Sequence, residues 1–168
     1  MSKTVARLFM SIIEQLVGTT GDAIVGTIYD RLLAISAPDE IFRQKLEGSI
    51  YEENSGVTRF ILCALAEQQI TRETLVDLWR FESKQFVWTI EHIFPQGENI
   101  PTSWVTMIAD GDTQKAREFQ QSHVHRLGNL TISGFNSSLG NKSFEDKRDR
   151  TDKQNRFVGY KKSPHRQI

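Results

Sequence analysis

Two periodicities divide this chain, and the change from one to the other limits the folds open to it. The apolar residues Val5, Leu8, Phe9, Ile12, Ile13, Leu16 and Val17 recur at helical spacing, and Gly18 follows as a stop. A second helix is expected from about Asp22 to Ile35, with Ile24, Ile28, Leu32 and Ile35 on one face, and a third from Glu40 to about Glu47 after the break at Pro38. Val57 to Gln69 is apolar enough for a buried central helix, and Thr71-Arg72-Glu73-Thr74 reads as a helix start ahead of Leu75, Leu78 and Trp79. Near Phe86 the helical period gives way. Phe86-Val87-Trp88-Thr89-Ile90 is β-branched and aromatic, which suits a strand, and it runs into Glu91-His92-Ile93-Phe94-Pro95-Gln96, where Pro95 ends strand pairing.

The remainder alternates short elements. A short helical piece is expected around Trp104 to Ala109, a polar helix from Thr113 to about Ser122, and a second strand from Leu127 to Ile132 containing Gly128-Asn129-Leu130-Thr131. Ser133-Gly134 signals a turn, and Asn136 to about Arg150 reads as a helix with an irregular turn around Gly140. The expected class is therefore α+β, mainly helical, divided into a helical region (1–85), a strand–strand–helix region (86–150) and a basic C-terminal segment (151–168).

Composition excludes several classes. At 168 residues the chain buries enough surface to fold without staples, and its single cysteine, Cys63, permits neither a disulfide framework nor a paired-cysteine zinc site. Cys63 sits in Phe60 to Ala66, the longest apolar run, which is far short of a membrane span; it reads as a packed thiol. The N-terminus leads into no signal-peptide core, so a cytoplasmic setting without a membrane is expected. Lys and Arg total 21, as do Asp and Glu, but residues 142–168 hold nine basic residues against four acidic. That end carries +5 and the first 141 residues −5, which directs attention to an anionic partner at one end.

The chemistry-bearing residues lie in the second half. Hydrolysis of a phosphodiester needs a base to deprotonate water and a cation to neutralise charge at phosphorus. Glu91-His92 at a strand end fits this, provided a kink before Pro95 brings two neighbouring side chains to one site. The competing use of histidine, a zinc set of His92, His123 and His125, lacks further ligands: His123 and His125 would share one face of a strand, with no cysteine nearby.

Thr89 to Gln96 (TIEHIFPQ), His125 to Ile132 (HRLGNLTI) and Asn136 to Phe144 (NSSLGNKSF), followed by Lys147, together resemble the HNH (His-Me finger, ββα-metal) nucleases. Among these, the segment is most similar to the nuclease domain at the C-terminal end of GmrSD-type modification-dependent restriction enzymes, the group that includes SspE-like defence proteins. The resemblance implies a ββα-metal motif over about residues 86–150. In it His92 would be the general base and Asn129 the residue bracing the loop that orients it. Glu91 would stand at the acidic metal ligand, and Asn136, or alternatively Asn141, would supply the ligand from the last helix. Lys142, Lys147 and Arg148 would meet DNA phosphates, and His125 would lie at the site edge.

The implied function is a divalent-metal-dependent DNA endonuclease, with Mg²⁺ the expected ion and Mn²⁺ an acceptable one, in a phage-defence or modification-dependent restriction system. No G-x-x-x-x-G-K-[ST] loop is present, so the nucleotide-hydrolysing, modification-sensing role that accompanies such nucleases would fall to another domain or subunit acting on modified foreign DNA. The alternative expectation is a non-catalytic nucleic-acid-binding or protein-interaction module on a degenerate HNH scaffold. An RNA-directed nuclease is a third.

Overall fold

The computed structural model describes residues 3–71 and 76–162. The expected helix start at Thr71 to Thr74, with Leu75, falls largely outside the described residues, as does the terminal stretch from Ser163. Among the described residues, no helix is long and apolar enough to cross a membrane.

The chain divides into two compact units, residues 1–42 and 43–168, the boundary falling inside a helix. In the first unit, α1 (Lys3–Leu16) and α2 (Asp22–Ile35) pack against each other across a turn in which Gly18 and Gly21 take φ of 81° and 62°, a region that glycine enters without strain. Ile12 is the buried anchor of α1, while Phe9, Met10 and Ile13 remain exposed.

The second unit carries the motifs. Helix α3 (Asp39–Glu47) leads into it, followed by the single turn α4 (Ile50–Glu53) and the central helix α5 (Ser55–Glu67). Asn54 caps α5 by accepting the Val57 N–H on its side chain at 3.0 Å, which satisfies one of the helix's free donors. Leu62, Cys63 and Ala66 on one face of α5 form the core with Leu78, Leu130 and Ile132, so Cys63 is the packed thiol expected of it. Burying each such aliphatic side chain contributes about 1.5–3 kcal/mol.

The expected single strand from Phe86 to Ile90 is instead two. Strand β1 (Phe81–Glu82) pairs with β2 (Gln85–Phe86) through Ser83 and Lys84, both at positive φ, and β3 (Thr89–His92) begins only after a bend. The bend is held by Arg59 of α5, whose buried guanidinium donates to the carbonyls of Trp88 and Leu78 and lies over the Phe86 ring, 3.7 Å from its centroid.

After β3 come α6 (Thr102–Ala109) and α7 (Thr113–His123), the latter capped by Asp112. The second expected strand is shorter than its sequence suggests. Leu127–Asn129 forms a 3₁₀ turn and only β4 (Leu130–Ser133) pairs, antiparallel to β3, with Glu91 opposite Thr131 and His92 opposite Leu130. The expected helix from Asn136 to Arg150 is broken into α8 (Asn136–Leu139) and α9 (Phe144–Arg148). Gly140, at φ 41°, ends the first, and Ser143 caps the second through the Asp146 N–H.

Gly159, just before a terminal 3₁₀ turn (Tyr160–Lys162), lies so close to α9 that a Cβ there would stand 2.2 Å from the Lys147 carbonyl and 2.7 Å from that of Arg148. Backbone atoms cannot yield as side chains do. Gly159→Ala is therefore expected to destabilise the protein by about 1–3 kcal/mol, read as a lower urea midpoint at unchanged slope.

Candidate active site

Successive strand residues face opposite sides, and the bend before Pro95 does not cancel this. Ile90 and His92 lie on the face that β4 shares through Ile132 and Leu130, whereas Glu91 and Thr131 lie on the other. The expectation that Glu91 and His92 meet at one site is corrected accordingly. Glu91, 2% exposed, turns its carboxylate towards α9, and His92, 6% exposed, turns its ring towards Tyr51 and His125.

Beneath β3, Lys147 is fully buried. Its ammonium donates to Glu91 Oε1 at 2.8 Å, to the His92 carbonyl at 2.7 Å and to the Ile93 carbonyl at 3.1 Å. An ammonium has three N–H donors, and all three are used. Tyr160 adds its hydroxyl to Glu91 Oε1 at 3.3 Å. Lys147 thus has no donor left for a DNA phosphate, which corrects that expectation. Burial pushes the Glu91 carboxyl up and the Lys147 ammonium down, each against the pull of the other's charge and hydrogen bond.

Asn129 closes the loop from the other side. Its Oδ1 accepts the Phe94 N–H at 2.7 Å, its Nδ2 donates to the carbonyls of Phe94 (3.0 Å) and Val124 (2.9 Å), and its own carbonyl accepts the Ile93 N–H at 2.8 Å. Gln120 of α7, which carries no motif signal, donates from Nε2 to the carbonyls of Pro95 and Gly97. Tyr51 and Tyr160 were likewise silent in the sequence, because their contacts join segments 41 and 69 residues from β3 positions His92 and Glu91.

The other expected site residues scatter. Asn136 donates from Nδ2 to the Ile90 carbonyl at 2.7 Å and borders a cleft of about 560 Å³ shared with Thr89, Gln85 and Ser137. Asn141 is exposed and lies against Gly97, where a Cβ would stand 2.8 Å from its Nδ2. Lys142 is exposed, and its carbonyl accepts the Trp104 indole N–H. Arg148 is paired with Asp149, which also binds Lys161 at 2.7 Å. His123 ends α7 stacked on Phe119, with centroids 4.2 Å apart, and His125 lies in the following turn, so the two do not share a strand face. Among the described residues no group of three or more His, Cys, Asp or Glu is placed to hold a metal ion.

Glu91 does not fit as a ligand of a divalent ion in this arrangement. Glu91 is already neutralised by Lys147, and two like unit charges 4 Å apart repel by about 4 kcal/mol at a surface-like dielectric, twice that for a divalent ion. Asn141, the alternative amide ligand, lies over Gly97 instead of Glu91's carboxylate.

The strand that ends in the pinned His-x-x-Pro turn, the Gly-Asn turn that leads into its partner strand and the lysine-bearing helix are thus brought together in one place. The sequence matches, over residues 36–163, the family model described as GmrSD restriction endonucleases, C-terminal domain, and the chain belongs to that family. Searches of the curated proteins and of the solved structures gave no match.

Two consequences are measurable. Removing one partner of a buried ion pair strands the other, so Lys147→Met should cost about 3–5 kcal/mol, with Glu91→Gln added to it restoring most of the loss; a Lys147→Met protein unfolding at the parental urea concentration would show that the clamp does not form. The fold also favours neutral His92, lowering its pKa from 6.5 to about 4, chiefly by burial and then by the charges of His125 and Lys147. Between those values the unfolded chain binds a proton that the folded chain does not. His92 therefore contributes up to roughly 3 kcal/mol above pH 6.5 that is lost as pH falls towards 4. Glu91, shifted up, acts in the opposite sense, so the term is isolated by comparing parent with His92→Asn. The parent should lose more stability on acidification across that window, and equal losses would count against the burial of a neutral imidazole.

Proposed function

We propose that the chain is a metal-dependent DNA endonuclease module of a modification-dependent restriction system directed against foreign DNA, with residues 86–150 as its ββα-metal motif and His92 as general base. The observation that carries this is the treatment of His92. Its imidazole is kept neutral, and the backbone around it is fixed by residues from each of the other two sequence motifs, Asn129 on one side and Lys147 on the other. A base must hold its lone pair at working pH and stand in one place, and the lowered pKa and the pinned backbone support both. His92 takes a proton from water, the resulting hydroxide attacks phosphorus, and the sugar oxygen leaves as the new P–O bond forms. A bound Mg²⁺, or Mn²⁺ in its place, would neutralise charge at phosphorus; no step is routed through the ion, and none of Glu91, Asn136 and Asn141 is assigned as its ligand.

Phosphate contact falls to Lys142, which is exposed, and to Arg148 only in competition with Asp149. That is little charge for a polyanion, so the isolated chain should bind DNA weakly and with strong salt dependence. Recognition of the modified base then belongs to a nucleotide-hydrolysing domain or subunit outside these residues.

One observation favours a second reading, a non-catalytic nucleic-acid-binding module: Glu91 is already satisfied within the protein. Nicking of supercoiled plasmid by the parent with Mg²⁺ or Mn²⁺ separates the two. Under the nuclease reading, chelator abolishes nicking, His92→Ala lowers it about 10²–10⁴-fold, and a matched RNA is cut more slowly. Plasmid binding that survives chelator and His92→Ala, with no nicking by the folded parent, would establish the binding module instead.

A further inference from the structure

His92 has a partner that neither the motif nor the family match assigns. Its Nε2 lies 3.3 Å from Nδ1 of His125, and Tyr51 holds both rings. Tyr51 stacks on His125, with centroids 5.5 Å apart and planes at 17°, and meets His92 edge-on at 4.7 Å and 86°. The backbone N–H of Tyr51 also donates to the His125 carbonyl at 3.2 Å. His125 is thus held through its ring and its main chain by α4, an element that precedes the nuclease motifs in sequence.

Ring nitrogens at this separation allow few proton arrangements. Two N–H groups facing each other would repel, and two lone pairs would leave a half-buried contact without a bond, so one nitrogen donates and the other accepts. If His125 donated, His92 in its neutral form would carry its proton on Nδ1 and have no lone pair free for water. If His92 donates, Nδ1 is left as a bare lone pair, and among the described residues no hydrogen-bond partner occupies it.

We infer that His125 is a positioning residue that accepts the Nε2–H of His92 on its Nδ1 and so fixes the tautomer in which His92 Nδ1 is the basic atom. This rests on the reading of His92 as general base. His125 then carries its own proton on Nε2. When His92 Nδ1 takes the proton of water, the new imidazolium keeps its Nε2–H directed at a neutral acceptor, which spreads the charge without moving either ring. Tyr51 restricts both imidazoles, so the acceptor is in place before substrate arrives.

The test uses the whole chain, supercoiled plasmid with Mn²⁺, and ¹⁵N spectra of the imidazoles. In the parent, His92 should show the Nε2–H tautomer near neutral pH. His125→Phe keeps the stack on Tyr51 but removes the acceptor; it should mix the His92 tautomers and lower kcat about tenfold or more with KM unchanged within about twofold. His125→Asn, whose side-chain oxygen stands near the position of Nδ1, should recover most of both. A parental His92 protonated on Nδ1 would overturn the inference without any activity measurement, and so would His125→Phe cutting at the parental rate while His92→Ala is inactive. His92→Ala cutting as the parent does is a different result, which removes the base reading itself.

Discussion

The ammonium of Lys147 is the constraint around which this site is built. A lysine is rarely buried without a partner, because the charge is costly to desolvate. Here the cost is met by one carboxylate and two carbonyls in a set that uses every donor. The two carbonyls belong to His92 and Ile93, where β3 has run out of strand to pair with. With Asn129 holding both polar groups of Phe94, and Gln120 the carbonyls of Pro95 and Gly97, side chains take over where the sheet ends. A turn of this kind would otherwise be an ordinary mobile loop, and its backbone satisfaction makes it a fixed frame for one imidazole.

Much of the helical framework is legible in the sequence because helical period is a local property. The stripe from Val5 to Val17 and the polar run after Thr113 both become helices near the expected places, and the cap at Asp112 explains why so polar a segment starts cleanly. The strands are less legible, since their ends are set by side chains from elsewhere. Arg59 divides the run after Phe86, and the work of Asn129 on Phe94 draws Leu127–Asn129 into a turn before β4 can begin. The His-x-x-Pro, Gly-Asn and lysine motifs lie in segments that the fold brings into contact. Their spacing does not reveal which way a lysine points, so Lys147 reads as a surface cation when it is the largest fully buried side chain among the described residues.

The charge balance shows the same limit. A surplus of five positive charges after Asn141 suggests a basic face, yet Lys147 is spent on Glu91, Arg148 and Lys161 on Asp149, and Arg156 on Asp152. Exposed pairs of this kind contribute little to stability, but each reduces the field that a phosphate would feel. Net charge over a segment counts residues, whereas attraction of a polyanion depends on those left unpaired.

The alternation of β3 then acquires a chemical meaning. Glu91 and His92 are neighbours in sequence, and on opposite faces they have separate tasks: one anchors the ammonium beneath the strand, the other presents its ring to His125 and Tyr51 above it. The peptide group between them joins the two, since the carbonyl that Lys147 grips is that of His92 itself. A disturbance of the ion pair therefore reaches the imidazole through a single residue's backbone, without crossing the hydrophobic core. Conversely, the ring's surroundings can change at His125 or Tyr51 while Glu91 and Lys147 stay as they are. Orientation of the His92 ring and placement of its backbone are separable in this fold, because they are enforced from the two sides of one strand.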